Sequence, residues 1–256
     1  MKKMLLGTTM LATLMLAGAA QAADLPRKAP PPAPPPQWNW TGWYIGAHVG
    51  GGWGTKDWTD HAFCFEGRCE PAEGTFALTN QSVSGFLGGG QIGYNWQTNW
   101  FFGSAPVVLG IEADVSGSDI RGTSPCAIID TCRTKVDSLG TIAARIGGVW
   151  DRALIYLKGG GAWVHDKHTR VDSDLDAFDS FSTTRWGWTI GGGIEYAFAP
   201  AWSAKLEYNF MDFGDKTFTT FRNVEEFESF RIRQTLHAVK IGLNYHFGWG
   251  GVAARY

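Results

Sequence analysis

The chain has 256 residues, of which 18% are charged, below the ~25% usual for soluble domains, while its 34 glycines are nearly twice the usual ~7%. With 13 Trp, 16 Phe, 7 Tyr and a net charge of −2, it offers no basic field for a nucleic-acid partner, and 44% hydrophobic residues are too many for a disordered chain. No 18-residue apolar run follows the first 20 residues, so a helical membrane anchor is not expected in the mature chain.

The first element is an export signal. Lys2 and Lys3 precede an apolar stretch over 4–19, and Ala20-Gln21-Ala22 supplies the small-x-small cleavage pattern, so residues 1–22 are expected to be removed. Losing Lys2 and Lys3 and no acid takes the net charge from −2 to −4. Residues 23–39 follow as a Pro-rich segment, with seven of the eleven prolines between Pro26 and Pro36. Such a run forms an extended polyproline II spacer, here a passive periplasmic linker.

From residue 40 the hydrophobic period is two. The last strand, 234–247, is the clearest case. Val239, Ile241, Leu243, Tyr245 and Phe247 alternate with Ala238, Lys240, Gly242, Asn244 and His246. The same alternation marks 107–116, 141–150, 186–198 and 202–210, and a glycine-diluted version marks 40–53, 82–96 and 153–165. That makes eight strands, each with one apolar and one polar face. A helical wheel would smear these residues around its circumference.

The connections alternate in length. Long ones are expected at 55–80, 117–136, 166–183 and 214–232, and short ones at 97–106, Asp151-Arg152 and Ala199-Pro200-Ala201. Strands of ~10 residues with long connections on one side and short turns on the other predict an all-β fold. It is an eight-stranded antiparallel up-and-down transmembrane β-barrel, with long extracellular loops and short periplasmic turns. Trp96, Trp100, Trp150, Phe198 and Trp202 suggest an aromatic girdle at the short-turn side.

The polar face then lines an interior. It carries Glu112, Asp114, Glu195 and Glu207 against Arg145, Lys158, Lys205 and Lys240. An eight-strand barrel is only wide enough for side chains to fill, and buried charges without partners cost several kcal/mol each. A paired internal network and a plugged lumen are expected. Glycines such as Gly85, Gly89, Gly93, Gly191 and Gly193 leave room for a narrow water path as the alternative.

Several motifs resemble the small outer-membrane porin-family proteins of alphaproteobacteria, which share the OmpA-like eight-strand barrel. They are Asp24-Leu25-Pro26, the Trp40-Thr41-Gly42-Trp43-Tyr44-Ile45-Gly46 opening, Leu109-Gly110-Ile111-Glu112-Ala113-Asp114, Gly191-Gly192-Gly193-Ile194-Glu195-Tyr196 and Ile241-Gly242-Leu243-Asn244-Tyr245-His246-Phe247. The resemblance spans residues 40–247, leaving 248–256 as a C-terminal tail. It implies a surface barrel of the Gram-negative outer membrane that supports envelope integrity. Its partners would be outer-membrane lipid, lipopolysaccharide and the barrel-assembly machinery. Family alternatives are a narrow porin for small solutes and a haem-binding surface protein. The assembly signal is either the internal Tyr245-His246-Phe247 or the terminal Tyr256.

Chemistry-bearing candidates are few, and no cofactor, metal or catalytic residue is expected. Four cysteines in an oxidising compartment allow three pairings, of which the local bridges Cys64–Cys69 and Cys126–Cys132 need the least chain closure. Disulfide formation removes the thiolates that would make His61, Cys64 and Cys69 a zinc site. His165, Asp166 and His168, with Asp172 and Ser173, have the residue types of a rim hydrolase or metal contact but no nucleophile-to-base spacing. A Ser and a His within hydrogen-bond reach at the outer rim would discriminate the enzyme reading.

Overall fold

A computed structural model of the protein describes residues 38–65, 68–70, 81–99, 105–125, 130–172, 179–221 and 226–247. The expected signal peptide, most of the Pro-rich segment, Trp100, Cys126, Ser173 and the tail 248–256 lie outside the described residues.

The described residues are almost all strand. In chain order they are β1 (Gly42–Phe65), β2 (Arg68–Glu70), β3 (Gln81–Thr98), β4 (Val107–Pro125), β5 (Asp130–Trp150), β6 (Ala153–Asp172), β7 (Asp179–Ala199), β8 (Trp202–Phe221) and β9 (Glu226–His246). β2 is a short hairpin arm on the tip of β1. The other eight pair antiparallel with their sequence neighbours, and β1 pairs with β9 to close the barrel. Closure leaves no unpaired edge, the condition for strands in lipid.

The register fixes the barrel's dimensions. Following direct partners from Tyr44 through Gly93, Glu112, Ala143, Gly160, Thr189, Met211 and Leu236 returns to β1 at Gly54, ten residues further along. Eight strands with a shear of ten tilt by about 40° and leave a backbone cylinder of roughly 8 Å radius. Side chains can fill such a lumen completely.

The outward row defines a lipid band. Ile45, Val49, Ile111, Ile146, Leu157, Ile194 and Leu243 are all about half exposed or more, because no protein covers them. Aromatic residues bound the band. Trp43, Trp96, Trp150, Phe198, Trp202 and Tyr245 ring the short-turn end, and Trp53, Phe86, Trp186 and Trp188 ring the other. On β1 the two girdles stand ten residues apart, from Trp43 to Trp53, or ~25 Å along the barrel axis at this tilt. That matches the apolar height of an outer-membrane barrel.

Tight turns fall at Asp151-Arg152 and Pro200-Ala201, where Asp151 (φ 54°) and Ala201 (φ 67°) take left-handed conformations. The far ends differ from the sequence expectation. The intervals 117–136, 166–183 and 214–232 are mostly strand, leaving only 126–129, 173–178 and 222–225 between strands. At 24 residues, β1 rises roughly 60 Å, about twice a hydrocarbon core. Beyond the band the outward row is no longer apolar, as at Arg121, Lys135 and Lys167, so the period-two contrast is lost, yet backbone groups are still best satisfied by continuing the ladder. Bulges between Gly117 and Ile120, Val136 and Ser138, and Asp212 and Asp215 mark where the walls leave the band.

Candidate functional site

All eight inward charges singled out in the sequence face the lumen and are almost completely buried. The cross-strand register brings them together at the level of the lipid band. Glu112 is the hub: Lys158 and Lys205 each donate to it at 3.0 Å, and the Arg145 guanidinium lies 3.5 Å away. Lys158 also donates to Glu207 at 3.0 Å, and Lys205 reaches the same carboxylate at 3.4 Å. Arg145 donates to Glu195 at 3.2 Å. Lys240 donates to Asp114 at 2.6 Å, with Lys158 a second cation at 3.6 Å. Four acids and four bases thus form one connected set.

Neutral side chains complete it. The hydroxyls of Tyr44 and Tyr156 donate to Glu112 and Glu207 at 2.8 and 2.7 Å. The Arg145 guanidinium lies between their rings, 4.7 Å from the Tyr44 centroid and 5.1 Å from that of Tyr156. Thr141 donates to Asp114. Asn244 links Gln91 to Glu195, 2.7 Å on each side, and His48 bridges Gln91 and Ser116. The tyrosines also account for two glycines that suggested open space. A Cβ on Gly93 would collide with the Tyr44 phenol, and one on Gly193 would come 2.8 Å from the Tyr156 hydroxyl. These glycines seat tyrosine rings rather than a water path.

The lumen is layered along its axis. On β9 the inward residues from the short-turn end are His246, Asn244, Lys240, Ala238, Leu236 and Gln234. On β6 they are Leu154, Tyr156, Lys158, Ala162, Val164 and Asp166. Both strands pass from the charged layer into an apolar one and back to polar residues. The apolar layer is a septum of Leu87, Ile120, Val136, Leu139, Met211, Phe213 and Leu236, with smaller neighbours. Beyond it Lys56 and Asp166 form a fully buried ion pair at 3.2 Å, and Gln234 accepts from Arg185 at 3.3 Å. At the short-turn end Trp38 and Trp40 pack with Val108, Leu154, Tyr156 and Ala197, each ring 5.5 Å from that of His246.

The septum, the Lys56–Asp166 layer and the tryptophan seal were not read from the sequence. Inward apolar residues look like outward ones when Met211 and Phe213 follow Phe210, so only the phase of the alternation could have found them.

Among the described residues two Ser–His contacts exist, both buried in the lumen: His48 meets Ser116 at 2.7 Å with an amide, Gln91, on its other nitrogen, and His246 meets Ser203. Ser203 and His246 are 2.9 Å apart, and Glu195 Oε1 accepts from Ser203 at 2.5 Å while lying 3.4 Å from His246 Nε2. Serine and carboxylate share one imidazole nitrogen. The carboxylate therefore cannot orient the ring from its other nitrogen, as an activated nucleophile requires. All three are buried beneath Trp38 and Trp40.

Other candidates separate. His165 faces outward and hydrogen-bonds Thr184 at 3.0 Å, whereas its neighbour Asp166 points inward to Lys56. Adjacent strand residues face opposite sides, so the two cannot share a site. Among the described residues no cluster of three or more His, Cys, Asp or Glu is placed to hold a metal. The backbones of Cys64 and Cys69 are direct partners across the β1–β2 hairpin, and Cys132 stands opposite Ser124 and Arg170.

Residues 9–247 match the family described as outer membrane protein beta-barrel domain. The chain is 34% identical over 242 residues to the 31 kDa outer-membrane immunogenic protein of Brucella melitensis, covering 91% of this chain and 95% of that one. It is 25% identical over 244 residues to the 25 kDa outer-membrane immunogenic protein of Brucella abortus, covering 92% and 94%. Among solved structures it is similar to the outer membrane protein OprG of Pseudomonas aeruginosa. There the TM-score is 0.49 and the identity 14%, over 81% of this chain and 98% of that one.

Proposed function

The chain belongs to the outer membrane protein beta-barrel family, and we propose that within the Gram-negative outer membrane it is a closed structural barrel supporting the envelope. The observation that carries this reading is the double closure of the lumen. The balanced charge network fills one level and the apolar septum fills the next. An open cation pore would expose an unbalanced acidic ring, and a hydrophobic constriction excludes water by dewetting. Purified protein in planar bilayers is expected to carry no steady current. Stable single-channel steps would overturn the closed reading in favour of a narrow pore.

In this reading the signal peptide of residues 1–22 exports the chain, and the barrel-assembly machinery inserts it. The short turns face the periplasm and the extended hairpins the exterior, where lipopolysaccharide and lipid are its neighbours. No enzymatic role is proposed, because both Ser–His contacts, Ser116–His48 and Ser203–His246, are buried in the lumen.

The exterior is oxidising for cysteines. The Cys64–Cys69 register places both residues on one face of a two-stranded ladder, a geometry that supports a local bridge, with Cys126–Cys132 as the second. Mass spectrometry of non-reduced peptides should recover each bridge within its own hairpin. A peptide joining the two hairpins would contradict the pairing.

A further inference from the structure

On the outer wall, just beyond the second aromatic girdle, three bases stand in one row. Arg121 on β4 is the direct partner of Lys135 on β5, and Lys135 is the direct partner of Lys167 on β6. Their inward neighbours Ile120, Thr134, Val136 and Asp166 are buried, so the row faces outward. The side chains of Arg121 and Lys167 are 64% and 62% exposed, and that of Lys135 is 42% exposed. Like charges directly opposite on a sheet destabilise it, so the wall carries this row at a cost.

The strand bulges bring acids to the row. Asp119 lies in the β4 bulge, 2.5 Å from Arg121 and 3.9 Å from Lys135. Asp137 lies in the β5 bulge, 3.0 Å from Lys135 and 3.6 Å from Lys167. The hydrogen bond from Lys135 holds the Asp137 carboxyl below its ordinary range. Among the described side chains compensation is incomplete, with three bases to two acids, and exposed Arg133 adds a fourth base two residues along the same face of β5.

Depth selects the partner. Trp163, the cross-strand partner of girdle residue Trp186, lies four residues before Lys167 on β6. At this tilt the row stands about 10 Å above the girdle, at the level of lipid headgroups. A positive row at that height, wide enough to span three strands, complements a headgroup with more than one phosphate.

We propose that the Arg121–Lys135–Lys167 row is a docking surface for the phosphorylated glucosamine headgroup of outer-leaflet lipopolysaccharide. This rests on reading the extended hairpins as exterior. Binding measured on purified protein in nanodiscs is independent of orientation and conductance, so failure of either reading is distinguishable from failure of this one.

The probe is deep-rough lipopolysaccharide, compared with the same glycolipid after removal of its phosphates and with phosphatidylglycerol. R121Q/K135Q/K167Q should weaken lipopolysaccharide binding roughly tenfold or more and flatten its salt dependence. D119N/D137N should tighten binding severalfold, because it removes the competing acids and keeps all three bases. All substituted side chains lie on the outer wall, and heat-modifiable migration confirms that each variant is folded. Removing the phosphates should reduce wild-type binding to the level of the triple variant. Unchanged binding by the triple variant would overturn the proposal. Equal binding of phosphatidylglycerol would also overturn it, by showing a generic anionic surface.

Discussion

Glu112→Ala should be the most damaging single substitution in the barrel, lowering stability by about 3–5 kcal/mol or preventing folding. The Glu112 side chain is fully buried and answers three cations, Lys158, Lys205 and Arg145, and the Tyr44 hydroxyl. Its removal leaves four bases to three acids inside the buried network. The penalty is an uncompensated buried charge, so restoring the balance should recover part of it. Glu112→Gln combined with Lys205→Met keeps volume and cancels the excess cation. It should be less destabilised than the sum of its two single variants, since residues in one network couple by 0.5–3 kcal/mol. Urea titration of the folded fraction in detergent measures all four proteins. Additive losses would show that the network acts as independent pairs.

The contrast between the two strand faces explains how much was legible beforehand. Lys205 and Glu207 between Ala204, Leu206 and Tyr208 announce an inward charged row, because only the lumen can hold charges on a strand crossing lipid. The same contrast fails where the inward residues are apolar. Leu236, Ala238, Met211 and Phe213 are apolar and inward, next to outward Thr235, His237 and Asp212, so the polarity of the faces inverts there and an apolar residue no longer marks the lipid side. Tyr44 and Tyr156 look like lipid-facing aromatics until the register shows their hydroxyls on Glu112 and Glu207. Above the girdles the apolar outward row ends. Thr217, Thr219 and Thr220 therefore read as loop although they continue the β8–β9 ladder. Ser203 and His246 are 43 residues apart and meet only through the β8–β9 pairing, which composition does not encode.

Two barriers in series make conductance a test of their independence. Lys240→Ala removes the 2.6 Å partner of Asp114 and loosens the charged layer, but the septum above it stays intact. A dry apolar constriction blocks ions by itself, so this variant should remain silent in planar bilayers. Phe213→Ala with Leu236→Ala opens the septum instead, at about 2–5 kcal/mol per large-to-small change. That variant should be silent as well, because the salt-bridged layer still fills the cylinder. Only the triple combination removes both closures at once. It should show flickering single-channel steps while still migrating as folded protein. If Lys240→Ala alone conducts, the septum is not a barrier and the charged layer closes the lumen unaided. If the triple variant folds and stays silent, the closure is set by backbone geometry at eight strands and a shear of ten, which no side-chain change at these positions would relieve.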